Sequence, residues 1–92
     1  MDVLIVPMNT NIESLKLANS LRKEDIKVLI EMNNRKLKKV FESADKNNVP
    51  YVIVLGENEV NEGTIEIKDM KNKTTSKFNI NDIEGMKEYI NK

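Results

Sequence analysis

Between Tyr51 and Leu55 the chain reads Tyr-Val-Ile-Val-Leu without a polar break, and Gly56 ends the run. A strand with one wet face alternates apolar and polar residues, whereas an unbroken β-branched run is what a strand covered on both faces requires. The fold must therefore supply a layer on each side of this strand. Glu57, Asn58 and Glu59 follow the glycine, so two acids and an amide fall at the carboxyl edge of whatever sheet contains it. Gly63 permits a second turn, after which Ile65 and Ile67 alternate with Glu66 and Lys68, the period-two pattern of a strand with one solvated face. The two strands are spaced to fold back on one another.

Val3 to Val6 is a short buried strand that Pro7 ends. Thr10 and Glu13 have the Thr-x-x-Glu spacing of a capping box, and Ile12, Leu15, Ala18 and Leu21 recur on one face of a helix reaching about Lys23. Val28 to Ile30 is a second short strand. Asn33 or Asn34 caps a second helix with Leu37, Val40, Phe41 and Ala44 facing inward, closed by Asn47, Asn48 and Pro50. Ile67 to Met70 leads through Lys71-Asn72-Lys73 to a last strand near Ser76 to Ile80. The segment Asn81-Asp82-Ile83-Glu84 resembles another capping box and opens a final helix with Ile83, Met86, Lys87 and Ile90. Alternating strands and helices in the first half demand parallel pairing through right-handed crossovers, and the short later connections allow antiparallel additions. The sequence thus predicts one α/β domain over residues 1–92, a five-stranded mixed sheet of order 2-1-3-4-5 with the first three strands parallel and three helices packed on it.

Composition narrows the function. Ninety-two residues hold one modest core and leave no room for a separate substrate domain. Fifteen basic and fifteen acidic residues cancel, so no global field draws the chain to nucleic acid or an anionic membrane, and such affinity must come from local patches. With neither cysteine nor histidine, disulfides, thiol catalysis, zinc sites on those ligands and Ser-His-Asp triads are excluded. No apolar run approaches membrane-spanning length, and Met-Asp-Val-Leu-Ile-Val lacks the charged start of a signal peptide, so the expectation is a cytoplasmic chain with no membrane partner.

In a 2-1-3 order the carboxyl ends of strands 1 and 3 diverge, and ligands bind in the crevice beside that switch point. Three loops meet there: Pro7 to Asn11, Glu31 to Asn34, and Gly56 to Glu59. They are rich in amides and carboxylates and hold a single glycine, so a dinucleotide fingerprint or a phosphate-cradling Walker loop is absent. A response-regulator receiver needs acids after strand 1 and an aspartate ending strand 3, but Pro7-Met8 and Leu55-Gly56 stand there. The second helix opens on Arg35-Lys36-x-Lys38-Lys39. Exposed cations near a helix N-terminus oppose its dipole by roughly 0.3–1 kcal/mol each, so the placement disfavours folding slightly and favours a bound polyanion. The competing reading is a solvated lysine-rich face. A small-molecule site at the same switch point would instead show a deep enclosed pocket.

The ordered set Asp-Val-Leu-Ile-Val-Pro, Ala18-x-x-Leu21-Arg22, Asn34-x-Lys36-Leu37-x-Lys39, Ala44-Asp45-Lys46-x-x-Val49-Pro50-Tyr51-Val52-Ile53, Gly56-Glu57-x-Glu59 and Lys68-Asp69-Met70 resembles the C-terminal anticodon-binding domain of histidyl-tRNA synthetases. Gly-Glu-x-Glu followed by Lys-Asp-Met looks more like this branch than its threonyl, prolyl or glycyl relatives, where arginine is common near Lys68. The resemblance implies that Asn34, Glu59 and Lys68 contact anticodon nucleotides, with Lys68 a point charge where arginine would offer a fork. It implies tRNA as partner through its anticodon stem-loop, and a parent catalytic domain in a homodimeric enzyme. ATP and magnesium would belong to that parent domain, with no cofactor in this one. With only Met1 ahead of the first strand, the expectation is an excised domain. The alternative is a free-standing or regulatory paralogue binding another RNA or a protein.

The chemistry of these side chains agrees with the implied role. Unpaired anticodon bases expose their Watson–Crick edges. A carboxylate such as Glu59 can accept from the ring N–H and exocyclic amine of guanine, and an amide such as Asn34 can both donate and accept. Glu57 could serve in place of Glu59, and the competing reading of both is an ordinary acidic turn. Arg35, Lys36 and Lys39 are the candidate phosphate contacts. Stacking, the usual companion of single-strand binding, has one candidate in Tyr51, because Phe41 is on a core face and Phe78 and Tyr89 cover the sheet. Met8 and Met32 offer softer packing against a base, or fill the core.

Overall fold

A computed structural model of the chain describes residues 2–31 and 37–91. Its elements are β1 (Val3–Met8), α1 (Asn11–Arg22), β2 (Val28–Ile30), α2 (Leu37–Lys46), β3 (Tyr51–Gly56), α3 (Glu57–Glu62), β4 (Thr64–Asp69), β5 (Thr74–Asn79) and α4 (Ile83–Ile90). The sheet order is β2-β1-β3-β4-β5. β1 lies parallel to β2 and β3, and β4 and β5 add antiparallel. This is the architecture the sequence predicts, with one helix more among the described residues than the three expected.

The unbroken apolar run is sandwiched as its composition demands. Ile53 and Leu55 face one core with Val3, Ile5, Leu17, Leu21, Ile65, Ile67 and Met86 beneath α1 and α4. Val52 faces a smaller core with Leu4, Val6, Val40, Ala44 and Val49 beneath α2. Because α2 covers only part of its side, the outer strands leave Glu66 and Lys77 exposed on that face, cross-strand partners in the β4–β5 register.

Four local expectations are corrected. Pro7 does not end β1, which continues to Met8 paired with Gly56. The Glu31 amide donates to the Ile5 carbonyl at 2.8 Å, which shows which side Ile5 presents to β2. Pro7 has the same parity, so its missing donor faces the side where β2 has already stopped. In α1 the buried residues are Ser14, Leu17, Ala18 and Leu21, whereas Ile12 is 67% and Leu15 50% exposed. Thr10 is the N-cap of α1 but makes no side-chain cap, so there is no capping box with Glu13; its hydroxyl is directed at the end of β3, where it donates to the Leu55 carbonyl. At α4, Asp82 caps alone, accepting from the Gly85 amide at 3.1 Å, and the third helical position is that glycine, so Glu84 closes no box.

The turns use residues that tolerate a left-handed backbone. Asn48 (φ 58°) ends α2 and lets the Val49 amide reach back to the Ala44 carbonyl at 2.8 Å. Gly63 (φ 72°) terminates α3 and turns the chain into β4. Among the described residues no helix is long and apolar enough to cross a membrane.

Candidate nucleic-acid interface

The carboxyl edge of β1 and β3 is held together by a buried hydroxyl. Asn9 takes a left-handed conformation (φ 63°) at the end of β1, and this brings Thr10 under the end of β3. There its Oγ1 donates to the Leu55 carbonyl and lies 3.4 Å from the Ser14 hydroxyl, with both side chains buried. The Pro7 to Asn11 loop is thus fastened to the residue preceding Gly56, which brings two of the three predicted loops side by side. Met32, Asn33 and Asn34 of the third, from Glu31, and Arg35 and Lys36 of the predicted helix start lie outside the described residues.

The acidic turn expected after Gly56 is a six-residue helix, α3. Glu59 stands at its third position and its Oε2 accepts from the Gly56 amide at 3.1 Å. The carboxylate that the sequence singles out as a base reader therefore also caps its own helix. One acceptor site on one oxygen is used. A carboxylate offers about four, so Oε1 and the second lone pair of Oε2 keep their capacity. Glu57, two residues earlier, is exposed in the first turn. Acids in that turn also suit the helix dipole.

The cations are distributed differently. Lys38 and Lys39 are exposed at the start of α2, the end that follows the switch-point loop. Lys68 is half-buried on the α2 side of β4, its ammonium 4.5 Å from the centre of the Phe41 ring, a distance at which the ring face attracts a cation. Lys68 pairs with Val52 in the β3–β4 register. That level is four residues before Gly56 along β3, or about 13 Å at the usual rise per residue. Lys68 and Glu59 thus start from different levels of the sheet.

The aromatic candidate fails. Tyr51 lies at the opposite, amino edge, where its ring tilts against Tyr89 at 5.4 Å and its hydroxyl donates to the Tyr89 carbonyl at 3.3 Å. Phe78 packs on the other side of Tyr89 at 5.5 Å. Burial, followed by the neighbouring Asp69 charge, pushes the Tyr51 hydroxyl above its ordinary pKa. Met8, 44% exposed at the end of β1, is the apolar surface the edge offers to a base.

Sequence reasoning gave Asp69 no role of its own, yet it is one of the few buried polar residues among those described. Its Oδ1 accepts from the amides of Lys71 and Asn72, both at 3.0 Å, and its Oδ2 from the Asn72 side chain at 2.9 Å. The Asn72 backbone and side-chain donors, with the Lys71 amide and charge, hold its pKa below the usual aspartate value against the opposing effect of burial. The Asp-x-Lys-Asn string is a legible signal for such a turn, since aspartate commonly bonds the backbone two and three residues on. Asp69 organises the β4–β5 turn, far from the carboxyl edge.

Residues 2–88 match the family model described as the anticodon binding domain. The chain belongs to that family. A histidine–tRNA ligase of Bacillus cereus is 39% identical over 71 residues, covering 76% of this chain and 17% of the ligase. One from Pyrococcus furiosus is 36% identical over 84 residues, covering 89% of this chain and 19% of the ligase. The anticodon-binding domain described here therefore spans under a fifth of the length of these relatives. The apo histidyl-tRNA synthetase of S. aureus superposes over 100% of the chain with a TM-score of 0.80 at 28% identity, covering 23% of that protein. A prolyl-tRNA synthetase of Cryptosporidium parvum superposes over 99% of this chain and 21% of its own with a TM-score of 0.91 at only 12% identity. Backbone shape is thus common to the histidyl and prolyl proteins, and residue identity carries the histidyl likeness.

Proposed function

We propose that this chain is the anticodon-binding domain of a histidine–tRNA ligase, holding the anticodon stem-loop of tRNA(His) while the remainder of the enzyme activates histidine and transfers it. The observation that carries this reading is the identity to histidine–tRNA ligases along most of the chain, with Gly56, Glu57 and Glu59 in the resembling motif. The geometry supports it with a carboxylate held by the Gly56 amide at the carboxyl edge of β3. Glu59 accepts from the donor edge of one unpaired base, with Glu57 beside it in the same turn. Lys68, on the α2 side of β4, meets a nucleotide or its phosphate. Asn34 supplies an amide to a base, and Arg35, Lys36 and Lys39 draw the phosphates.

This domain contributes binding and positioning, not group transfer. ATP and magnesium act in the catalytic domain of the parent, which pairs as a homodimer in the cytoplasm. Titrating the isotopically labelled chain with the anticodon stem-loop while following its amide resonances locates the interface. Shifts centred on residues 8–10, 34–39, 56–62 and 68 are expected. Shifts centred on Tyr51, Asn72 and Tyr89 would place the partner at the wrong edge and refute the reading.

A further inference from the structure

Gly56 is the last residue of β3, and its backbone (φ −99°, ψ 174°) lies in the extended region open to any residue. Conformational freedom does not explain a glycine here. Space does: a Cβ built on this residue would lie 2.6 Å from Glu59 Oε2, with Cδ and Oε1 of the same side chain the next atoms at 3.5 and 3.9 Å. The Gly56 amide is at the same time the donor that holds that oxygen, at 3.1 Å. One residue therefore supplies both the hydrogen bond and the empty volume that fix the Glu59 carboxylate.

We infer that Gly56 is a positioning residue for anticodon discrimination, fixing by its bare α-carbon where the Glu59 carboxylate meets the base. The inference rests on the reading of Glu59 as the base acceptor. A methyl group at position 56 meets only the far end of a flexible side chain, so the carboxylate moves and the fold does not. A displaced carboxylate still caps α3, but its remaining acceptor sites point away from where the base presents its donors. Recognition of the base is lost without loss of charge, so attraction to RNA in general is unchanged.

The test compares Gly56→Ala, Glu59→Gln and the double variant in the full 92-residue chain, measuring Kd for a stem-loop with the histidine anticodon and for one with a substituted anticodon. Gln at position 59 still caps the helix through its amide oxygen but turns an N–H₂ toward the base. Gly56→Ala is expected to leave the melting temperature unchanged or raised, since alanine is stiffer in the unfolded chain. It should cut the cognate preference about tenfold or more, as the loss of a hydrogen bond to a charged acceptor does. The double variant should be no worse than Glu59→Gln alone, because both act on one contact. Full cognate preference in Gly56→Ala beside a loss in Glu59→Gln overturns the role of Gly56 and leaves that of Glu59 standing. Unchanged preference in Glu59→Gln overturns the reading of Glu59, and the inference with it. Equal weakening for both stem-loops in Gly56→Ala also overturns it.

Discussion

At the scale of single residues, Glu59 and Asp69 both accept hydrogen bonds from backbone amides, and their positions separate their roles. Glu59 caps a helix at the edge where the loops converge, and Asp69 ties a turn at the other end of the sheet. For Asp69 the sign of the pH effect is fixed. Its native pKa is lowered, so the unfolded chain binds the proton more tightly, and the stability it contributes is present above the unfolded value of about 3.9 and lost as pH falls through the native one. Asp69→Asn keeps an oxygen for the Lys71 and Asn72 amides but sets an N–H₂ against the Asn72 side chain. It should melt lower than the parent at pH 7, and its melting temperature should fall less steeply from pH 5 to pH 3. Parallel melting curves across that range would show that the charge of Asp69 has no part in stability. The sequence marks Asp69 only as a member of the Lys-Asp-Met string, because its partners lie on a turn whose geometry no periodicity encodes.

At the scale of elements, the strands were legible because their burial is one-dimensional. Tyr51 to Leu55 needs two covers, Ile65 and Ile67 need one, and pairing order follows from connection length. The helices were less so. Both Ile12-Leu15-Ala18-Leu21 and Ser14-Leu17-Ala18-Leu21 fit a helical period, and hydrophobicity alone selects the first. The structure selects the second because Ser14 is small and its hydroxyl neighbours that of Thr10 under the end of β3. Leu17→Ala and Leu21→Ala should therefore each cost about 2–5 kcal/mol in urea unfolding, against changes within about 0.5 kcal/mol for Ile12→Gln or Leu15→Gln. A larger loss from Ile12→Gln than from Leu17→Ala would restore the other face. Thr10→Val, which keeps shape but leaves the Leu55 carbonyl without its donor, should cost about 1–3 kcal/mol in the same assay. Helix α3 escaped the sequence for a different reason. It has no buried residue to give a period, and its start is marked by a glycine whose amide, not its side chain, closes the cap. Glu57 and Glu59 were legible as acids at an edge. That Glu59 is held was not.

At the scale of the whole molecule, fifteen acids balance fifteen bases, so affinity for RNA must come from local patches. Replacing Lys36 and Lys39 with alanine should weaken cognate and altered stem-loops alike and reduce the salt slope by about 0.7 for each single-strand phosphate that a lysine had neutralised. The chain should also show no histidine-dependent pyrophosphate exchange, since it spans under a fifth of ligases such as that of Bacillus cereus, 17% of whose length it covers. Detectable exchange would contradict its assignment as a binding domain. The carboxyl edge itself was legible from strand order, and the tie from Thr10 to Leu55 across it was not, because that bond joins residues 45 apart in sequence. The central claim is that Glu59 reads a base of the histidine anticodon, and the ratio of Kd values for substituted and cognate stem-loops, with and without Glu59→Gln, tests it most directly. The substitution should weaken cognate binding by about tenfold or more and altered-anticodon binding far less. An unchanged ratio would contradict it and leave the acidic helix a structural element.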